Sequence, residues 1–369
     1  MSEPFDPSVP FLRQDGLRAG LTKHALDGPG FRRLFGSVRL PASVTLTALL
    51  LARAALLVAP DAVISHHSAA RLYGAVVPRS PLVHLTVRRA QDRRRREGLE
   101  WHVHPDPATW VFGGIRVTTP AQTFLDLAHD LDLVALVVLG DSLVHRGRVT
   151  PGQLVDAAQD RGSARARQAA LLVRRGAESP METKVRLLLV LAGLPEPRVQ
   201  VTLVDEEGSP RYRLDLSYPE LKVAIEYDGR HHAEDAGQWG HDIDRREWLD
   251  GRGWRLVVVR SPDVHATPWA TVRRIAGVLA SRGFDKPLPP RAPAGSPATS
   301  RSSRGGPPAE DAPQTRRRLT AQVRTCADEP IWPRVSSGRH AHRPCLARTP
   351  SHDSAARQTV ARLARARRR

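Results

Sequence analysis

Two alternating apolar segments joined by a short turn constrain the fold of this chain more than any other feature of its sequence. They read YRLDLSY (212–218) and LKVAIEYD (221–228), and this period-two alternation is typical of β-strands with one buried face. A turn at Pro219 and Glu220 would pair them as an antiparallel hairpin. A helix and a strand pattern precede the hairpin, and a polar helix, an apolar strand and a last helix follow it. This order predicts an α/β domain over residues 165–284.

The hairpin carries three carboxylates that should share one face of its sheet. Because side chains two residues apart in a strand point the same way, Asp215, Glu226 and Asp228 should lie close together. Like charges that close raise each other's pKa, and Mg²⁺ relieves the repulsion because it prefers hard carboxylate oxygens as ligands. The pattern predicts catalytic roles for all three, with Asp215 and Glu226 as ligands of Mg²⁺. The alternative is pairing with basic residues of the same hairpin, namely Arg211, Arg213 or Lys222.

Three residues outside the hairpin extend this candidate site. Glu182 opens a helix whose first turn could pack against the sheet, although the helix dipole alone also favours an acidic residue there. Histidine side chains titrate near neutrality, so His232 in the segment DGRHH is a candidate general base or water-orienting group. Arg245 lies on the polar helix and is a candidate phosphate-binding residue on DNA; a solvated helix face is the alternative.

The chain is strongly basic, but most of its excess charge lies near the C-terminus. The formal net charge is +18, and residues 286–369 contain 18 Lys and Arg against 5 Asp and Glu. Residues 285–369 are also rich in Pro, Ser, Arg, Ala and Gly without sustained periodicity, which predicts a disordered basic tail. The remaining chain is mildly basic, which is compatible with a nucleic-acid partner but does not demonstrate one.

Cysteine usage and apolar segments narrow the class of protein further. Both cysteines, Cys326 and Cys345, lie in the predicted tail, so the predicted domains have neither a disulfide framework nor a cysteine-ligated zinc site. The most apolar stretch, 44–60, is interrupted by Arg53 and is short for a bilayer span, which favours a buried helix. The N-terminus is acidic and lacks the apolar core of a signal peptide. We therefore expect a cytoplasmic protein with no membrane partner.

Residues 1–43 have the layout of a winged helix, with short helical patterns followed by a basic strand hairpin. Thr22 is a good candidate for the N-cap of the second helix. The basic residues of that helix and hairpin are candidate DNA contacts, at Lys23, Arg32, Arg33 and Arg39. A generic small helical cap is an equally good interpretation.

Residues 44–164 combine strand and helix patterns and predict an α+β domain.

The C-terminal motifs resemble a known nuclease superfamily. Glu182 together with YRLDLSYPELKVAIEYDGRHH and DIDRREWLDGRGWRLVVVR is similar to the PD-(D/E)XK superfamily, in the branch similar to very-short-patch-repair endonucleases. The resemblance covers about residues 178–281 and implies a restriction-endonuclease-like α/β fold that cleaves DNA with Mg²⁺. It also implies that Glu182 is the helix glutamate of the family, and that Asp215 and Glu226 are its metal ligands.

One position departs from that family pattern. Asp228 stands where many members carry a lysine that activates water or stabilises charge. A histidine serves in the short-patch branch, so the resemblance gives this role to His232. If His232 does not replace the lysine, the departure implies a domain without nuclease activity.

A second resemblance covers the N-terminal part. The segments VISHHSAARLYGAVVP, VHLTV, GIRVTTPAQTFLDLA and LGDSLVHRGRVTPGQL are similar to type IV abortive-infection antitoxins and transcriptional regulators of actinobacteria. In that family a winged helix binds promoter DNA and the next domain supports neutralisation of a toxin, which implies DNA and a cognate toxin as partners.

Two functions are therefore expected. One is a Mg²⁺-dependent endonuclease fused to an antitoxin-like DNA-binding region, and the other is a non-enzymatic regulator or antitoxin with a degenerate nuclease fold.

Overall fold

The chain folds into a mixed α/β structure with three β-sheets in its described part. The computed structural model describes residues 5–229 and 236–286, with the backbone alone at 236–241. None of the helices in these ranges is long and apolar enough to cross a membrane. The predicted general base His232 and nearly all of the predicted tail, 285–369, lie outside the described residues.

The N-terminal segment combines two short helices with a three-stranded antiparallel sheet. Its elements are β1 (Phe11–Leu12), α1 (Arg13–Arg18), α2 (Lys23–Asp27), β2 (Phe31–Leu34) and β3 (Val38–Pro41). Strand β3 lies between β1 and β2. The hydroxyl of Thr22 accepts a hydrogen bond from the backbone N–H of Ala25 at 3.1 Å, which confirms the predicted N-cap of α2. A Cβ at Gly16 would lie 2.7 Å from the Phe11 ring, so only glycine lets α1 approach this core.

The middle of the chain forms a five-stranded mixed sheet covered by helices. Its elements are α3 (Ala48–Val58), β4 (Val63–Ile64), α4 (His66–Leu72), β5 (Val83–Val87), β6 (Leu99–Val103), β7 (Thr109–Phe112), β8 (Ile115–Thr118), α5 (Pro120–Leu127), α6 (Leu133–His145), α7 (Pro151–Arg161) and α8 (Ala164–Leu172). The strand order is β6-β5-β4-β8-β7, and β5 runs parallel to β6. Helix α3 buries Ala52, Ala55 and Val58, which confirms the helix predicted within 44–60.

Helix α8 belongs by packing to this middle region. The sequence placed the boundary of the C-terminal domain at residue 165, which is inside α8. Ala166, Ala169 and Val173 are buried in the same apolar core as α6 and α7. The core of the middle region therefore extends to Val173. The short alanine-rich pattern of α8 is compatible with either domain, so the sequence alone does not assign this helix; its packing partners do.

The C-terminal region follows the predicted order of helix, three strands, helix, strand and helix, with one additional short helix before the last one. Its elements are α9 (Pro180–Leu191), β9 (Arg198–Val204), β10 (Pro210–Tyr218), β11 (Val223–Asp228), α10 (Ala236–Gly251), β12 (Arg255–Arg260), α11 (Ser261–His265) and α12 (Pro268–Ala280). The sheet order is β12-β11-β10-β9, in which β11 and β12 are parallel and the other pairs antiparallel. Apolar residues of α9 and α12 pack on one face of this sheet, and Leu249 of α10 packs on the other.

A cluster of histidines ties α4 to β5 and β6. Nδ1 of His84 lies 2.9 Å from Nε2 of His102, and the rings of His66 and His102 stack with centroids 3.5 Å apart. Burial lowers the pKa of His84 to about 3 and also lowers the pKa of His66, so both imidazoles are neutral near pH 7. Neutral imidazoles can both donate and accept hydrogen bonds, which lets the cluster fill a polar part of the interior. Across the described ranges, no group of three His, Cys, Asp or Glu side chains is arranged to hold a metal ion.

Helix α9 is buried on two sides and connects the two larger regions. Leu187 packs in the core of the middle region, whereas Val185 and Leu189 pack in the core beneath the C-terminal sheet. A helix whose opposite faces enter two cores fixes one region against the other. The first turn of the same helix carries Glu182, so the position of this carboxylate depends on both cores.

A buried ion pair joins α9 to α6. The guanidinium of Arg186 is fully buried and lies 2.8 Å from the carboxylate of Asp141 and 3.0 Å from that of Glu196. Asp141 also accepts hydrogen bonds from the Thr183 hydroxyl and the Arg174 backbone N–H, each at 2.8 Å. Asp141 therefore has three donors, which is the condition under which a buried charge is tolerated.

We expect Arg186→Leu to destabilise the fold strongly. Removing one partner of a buried pair leaves the other charge uncompensated, and the expected loss in the free energy of unfolding is about 3–5 kcal/mol. Chemical denaturation measures it, with Arg198→Gln as the control because Arg198 forms an exposed pair with Glu220 and should contribute less than about 1 kcal/mol. Equal losses in the two variants would contradict a special role for the buried pair.

Candidate functional site

The register of the β10–β11 hairpin brings the two predicted metal ligands together. Leu216 pairs with Ile225 in the antiparallel ladder, and Asp215 and Glu226 are the next residues beyond this pair on β10 and β11. Leu216 and Ile225 are buried in the core beneath α9 and α12. Asp215 and Glu226 point to the face that carries α10, because both line a cavity together with residues of that helix.

The carboxylates line a cavity of about 340 Å³ between the sheet and α10. Its lining consists of Asp215, Glu226, Tyr227, Asp228, Gly229, Asp242, Arg245, Arg246, Leu256 and Val258. The three carboxylates predicted to share a face thus reach the same cavity. Asp242, on α10, adds a fourth carboxylate that the sequence analysis did not single out. Its only sequence signal is its position three residues before Arg245, on the same helix face.

Burial raises the pKa of both hairpin carboxylates, and a neighbouring acidic group adds to each rise. The pKa of Glu226 rises to about 7, chiefly because the side chain is desolvated and also because Asp215 is close, while the Arg245 guanidinium opposes the rise. The pKa of Asp215 is raised by desolvation and by the charge of Glu182, against the lowering effect of a hydrogen bond from the Tyr227 backbone N–H. Two carboxylates with raised pKa values in one cavity favour binding of either a proton or a cation.

Arg245 contacts a carboxylate instead of projecting freely toward a phosphate. Its guanidinium forms an ion pair with Glu226, donates a hydrogen bond to the carbonyl of Arg213 at 2.8 Å, and lies over the ring of Tyr212. The predicted phosphate-binding residue therefore has a carboxylate partner in this structure. The neighbouring Arg246 is exposed, lines the cavity, and makes no hydrogen bond or ion pair with the described residues.

Among the described residues, the alternative partners considered from the sequence form no ion pair with Asp215 or Glu226. Arg213 pairs with Glu178 at 2.6 Å, and the ammonium of Lys222 donates to the carbonyl of Arg252 at 3.0 Å. Asp215 forms no ion pair within the described part of the chain. Carboxylate oxygens are the donors that a hard divalent cation prefers, and Asp215 and Glu226 are the two residues that could supply them here. Mg²⁺ usually keeps several waters, so two protein carboxylates are a sufficient set.

Glu182 lies beside this site but outside the cavity lining. It occupies the third position of α9, where its backbone N–H donates to the capping hydroxyl of Ser179 at 3.2 Å. Its carboxylate accepts hydrogen bonds from the Glu178 backbone N–H at 3.0 Å and from the Gln200 side-chain amide at 3.1 Å. Its charge contributes to the raised pKa of Asp215. Glu182 therefore acts on the site electrostatically in this arrangement.

Gln200 is a site residue that the sequence analysis missed. It has a φ of 52° inside strand β9, a left-handed conformation that costs about 1–3 kcal/mol for a residue other than glycine. This conformation accompanies the hydrogen bond from its amide nitrogen to Glu182, and its amide oxygen is buried without a partner among the described residues. In the sequence RVQVTLV, Gln200 looks like an ordinary strand residue, so no local signal marks it.

The predicted DNA contacts of the N-terminal segment divide into exposed and buried residues. Lys23, Arg32 and Arg33 are exposed. Arg39 is 4% exposed, and its guanidinium donates to the carbonyl of Leu26 and pairs with Asp27, each at 2.7 Å. Arg39 is thus a structural residue that holds β3 against α2, and the prediction that it contacts DNA is corrected. The carbonyl and carboxylate at the end of α2 provide the acceptors that a buried guanidinium needs.

Comparisons with known proteins identify distant relatives. Two uncharacterized proteins of Mycobacterium tuberculosis, Rv2248 of strain H37Rv and MT2308 of strain CDC 1551, are each 26% identical to this chain over 213 residues. The aligned region covers 57% of this chain and 78% of each relative. No protein-family model matches the chain.

The raised pKa of Glu226 predicts a pH-dependent contribution to stability. A carboxyl group whose pKa is about 7 in the folded state and 4.5 when fully solvated favours the folded state at low pH. That contribution falls as pH rises from about 4.5 to 7. We therefore compare the melting temperature of Glu226→Gln with that of the wild type in chelator. The difference, variant minus wild type, should be larger at pH 8 than at pH 5 by a few degrees.

Glu220→Gln is the matched control, because Glu220 is an exposed turn residue paired with Arg198. The difference in melting temperature between this variant and the wild type should stay constant over the same pH range. Parallel curves for Glu226→Gln as well would mean that Glu226 titrates like an exposed carboxylate.

Proposed function

We propose that residues 178–281 form a Mg²⁺-dependent endonuclease domain of the PD-(D/E)XK type, which hydrolyses phosphodiester bonds in DNA. The observation that carries the proposal is that two carboxylates, Asp215 and Glu226, line one cavity and both have raised pKa values. The order of helices and strands around them agrees with the fold that the resemblance implies.

Asp215 and Glu226 would hold the cation. Bound Mg²⁺ polarises a phosphodiester, lowers the pKa of a water and stabilises the leaving oxygen. Arg246 is exposed at the rim of the same cavity and is the guanidinium best placed to pair with a DNA phosphate. Asp228 lines the cavity at the position where the resemblance expects lysine, so a group outside this position must supply the proton transfer. His232 is the candidate from the sequence.

The N-terminal segment would add a second contact with duplex DNA. Lys23 lies at the start of α2, and Arg32 and Arg33 lie on β2 of the adjacent hairpin, all three exposed. Guanidinium and ammonium groups on one helix and one hairpin suit contacts with phosphates, which position a protein on DNA without reading its sequence. Such binding should weaken steeply as salt increases.

A non-enzymatic function is the second candidate, and Arg245 is the observation that favours it. The Arg245 guanidinium already neutralises Glu226 and lies in the cavity where a cation would bind. A regulator or antitoxin with a degenerate nuclease fold would keep this ion pair as a structural feature, with promoter DNA and a cognate toxin as its partners. In an enzyme, the cation would displace Arg245 from Glu226.

We expect Asp215→Asn to abolish Mg²⁺-dependent cleavage of plasmid DNA without unfolding the protein. The amide keeps the shape of the side chain but removes the charge that would hold the cation. It also removes carboxylate repulsion, so the variant should melt at or above the wild-type temperature in chelator. Added Mg²⁺ should raise the melting temperature of the wild type and leave that of the variant unchanged.

Asp250→Asn serves as the control, because Asp250 is exposed near the end of α10 and does not line the cavity. This variant should cleave DNA and respond to Mg²⁺ as the wild type does. If the wild type shows neither cleavage nor a Mg²⁺-dependent melting shift, and Asp215→Asn melts several degrees lower, Asp215 is a structural residue. The non-enzymatic function would then replace the proposed one.

A further inference from the structure

A second and larger cavity lies in the middle region, away from the carboxylate site. Its volume is about 670 Å³, and it opens beside the loop between α3 and β4 and the carboxyl end of β5. Strands β5 and β6 are parallel, with Val87 paired to Val103 at the end of the ladder. Crevices at the carboxyl ends of parallel strands are common ligand sites in α/β sheets, and this volume is typical of a small-molecule pocket.

Arginines give this cavity a surplus of positive charge. Arg88, Arg89 and Arg94 line it together with two carboxylates, Asp61 and Asp92. Asp92 pairs with Arg89 at 3.2 Å. Within the described ranges, the guanidinium groups of Arg88 and Arg94 form no hydrogen bond or ion pair. Two unpaired guanidinium groups at one cavity favour an anion with several acceptor oxygens, such as phosphate.

An aromatic wall completes the cavity. Trp101 of β6 lines it, and the indole N–H of this residue is buried without an acceptor among the described residues. Gln91 also lines the cavity and carries both donors and an acceptor. An aromatic ring beside arginines suits a base that is attached to a phosphate.

We infer that this cavity binds a nucleotide unit, with its phosphate on Arg88 and Arg94 and its base against Trp101. The unit must be unpaired, because a base stacked inside a duplex does not present its face to an indole ring. A free nucleotide and an unpaired nucleotide of a single strand share this chemistry. The inference does not rest on the proposed nuclease function, since none of these residues belongs to the carboxylate site.

The loop itself offers a matched pair of variants. All four side chains are exposed: Arg88→Gln/Arg94→Gln removes two charges that line the cavity, and Arg93→Gln/Arg95→Gln removes two that do not line it. Both variants keep residues 287–369, so the basic C-terminal residues contribute equally to each measurement. Binding of a fluorescein-labelled thymidine hexanucleotide and of dTMP is measured on the full chain in chelator, at one fixed salt concentration.

The cavity variant should lose about tenfold or more in affinity, because each charge-assisted hydrogen bond to phosphate is stronger than a neutral one. The control variant should lose no more than about threefold, through screened long-range electrostatics alone. Binding of dTMP that follows the same pattern would identify a free nucleotide as sufficient. If only the hexanucleotide shows this pattern, the ligand is an unpaired nucleotide within a single strand of nucleic acid.

Trp101→Phe provides a second readout, since it keeps an aromatic face and removes the indole N–H. It should keep most of the affinity for the hexanucleotide, whereas Trp101→Leu should weaken binding about fivefold or more, as expected when one stacking contact is lost. Equal losses of affinity in the two arginine double variants would overturn the inference, because the arginines of this loop would then act only as a solvated charge patch. Failure of the wild type to bind either probe would overturn it as well.

Discussion

Helix α9 is the element on which both larger regions depend, because its two faces enter two different cores. Leu187 and Arg186 face the middle region, and Val185 and Leu189 face the C-terminal sheet. The ion pair between Arg186 and Asp141 is tolerated in the interior only because further donors complete the hydrogen bonding of Asp141. This arrangement fixes the start of α9, and therefore Glu182, relative to the hairpin that carries the other carboxylates.

The hairpin carboxylates are costly in the absence of a counter-ion, and their surroundings show how that cost is met. Arg245 neutralises Glu226, and the Tyr227 backbone N–H stabilises Asp215. Even so, burial raises the pKa of both groups, which means that their ionised forms remain under-compensated. A cation at this position would remove the imbalance, whereas a protein that used the pair only structurally would gain little from burying both acids.

Periodicity and turn chemistry were sufficient to predict the local elements of the candidate site. The alternation in β10 and β11 predicted that Asp215 and Glu226 share a face, and both line one cavity. The turn is longer than predicted: residues 219–222 form it, and Tyr218 pairs with Val223. Thr22 capped its helix as expected because capping depends on neighbours only three residues away. Features of this kind are encoded within a few residues of one another.

Contacts between distant residues were not predictable in the same way. Arg39 is buried because acceptors at the end of α2 reach it, and Arg245 pairs with Glu226 because α10 packs over that face of the sheet. The left-handed conformation of Gln200 also depends on a distant partner, Glu182, and has no signature in its own strand. Each of these outcomes depends on which elements pack together, and a sequence pattern read over a short window contains no such information.

Anomalous diffraction from crystals grown with Mn²⁺ in place of Mg²⁺ tests the central claim most directly. If Asp215 and Glu226 hold a divalent cation, an anomalous peak should lie between them, about 2.1 Å from an oxygen of each, with the Arg245 guanidinium displaced from Glu226. The contradicting result is a cavity without an anomalous peak in which Arg245 still pairs with Glu226. That outcome would make the carboxylates part of a structural ion-pair network.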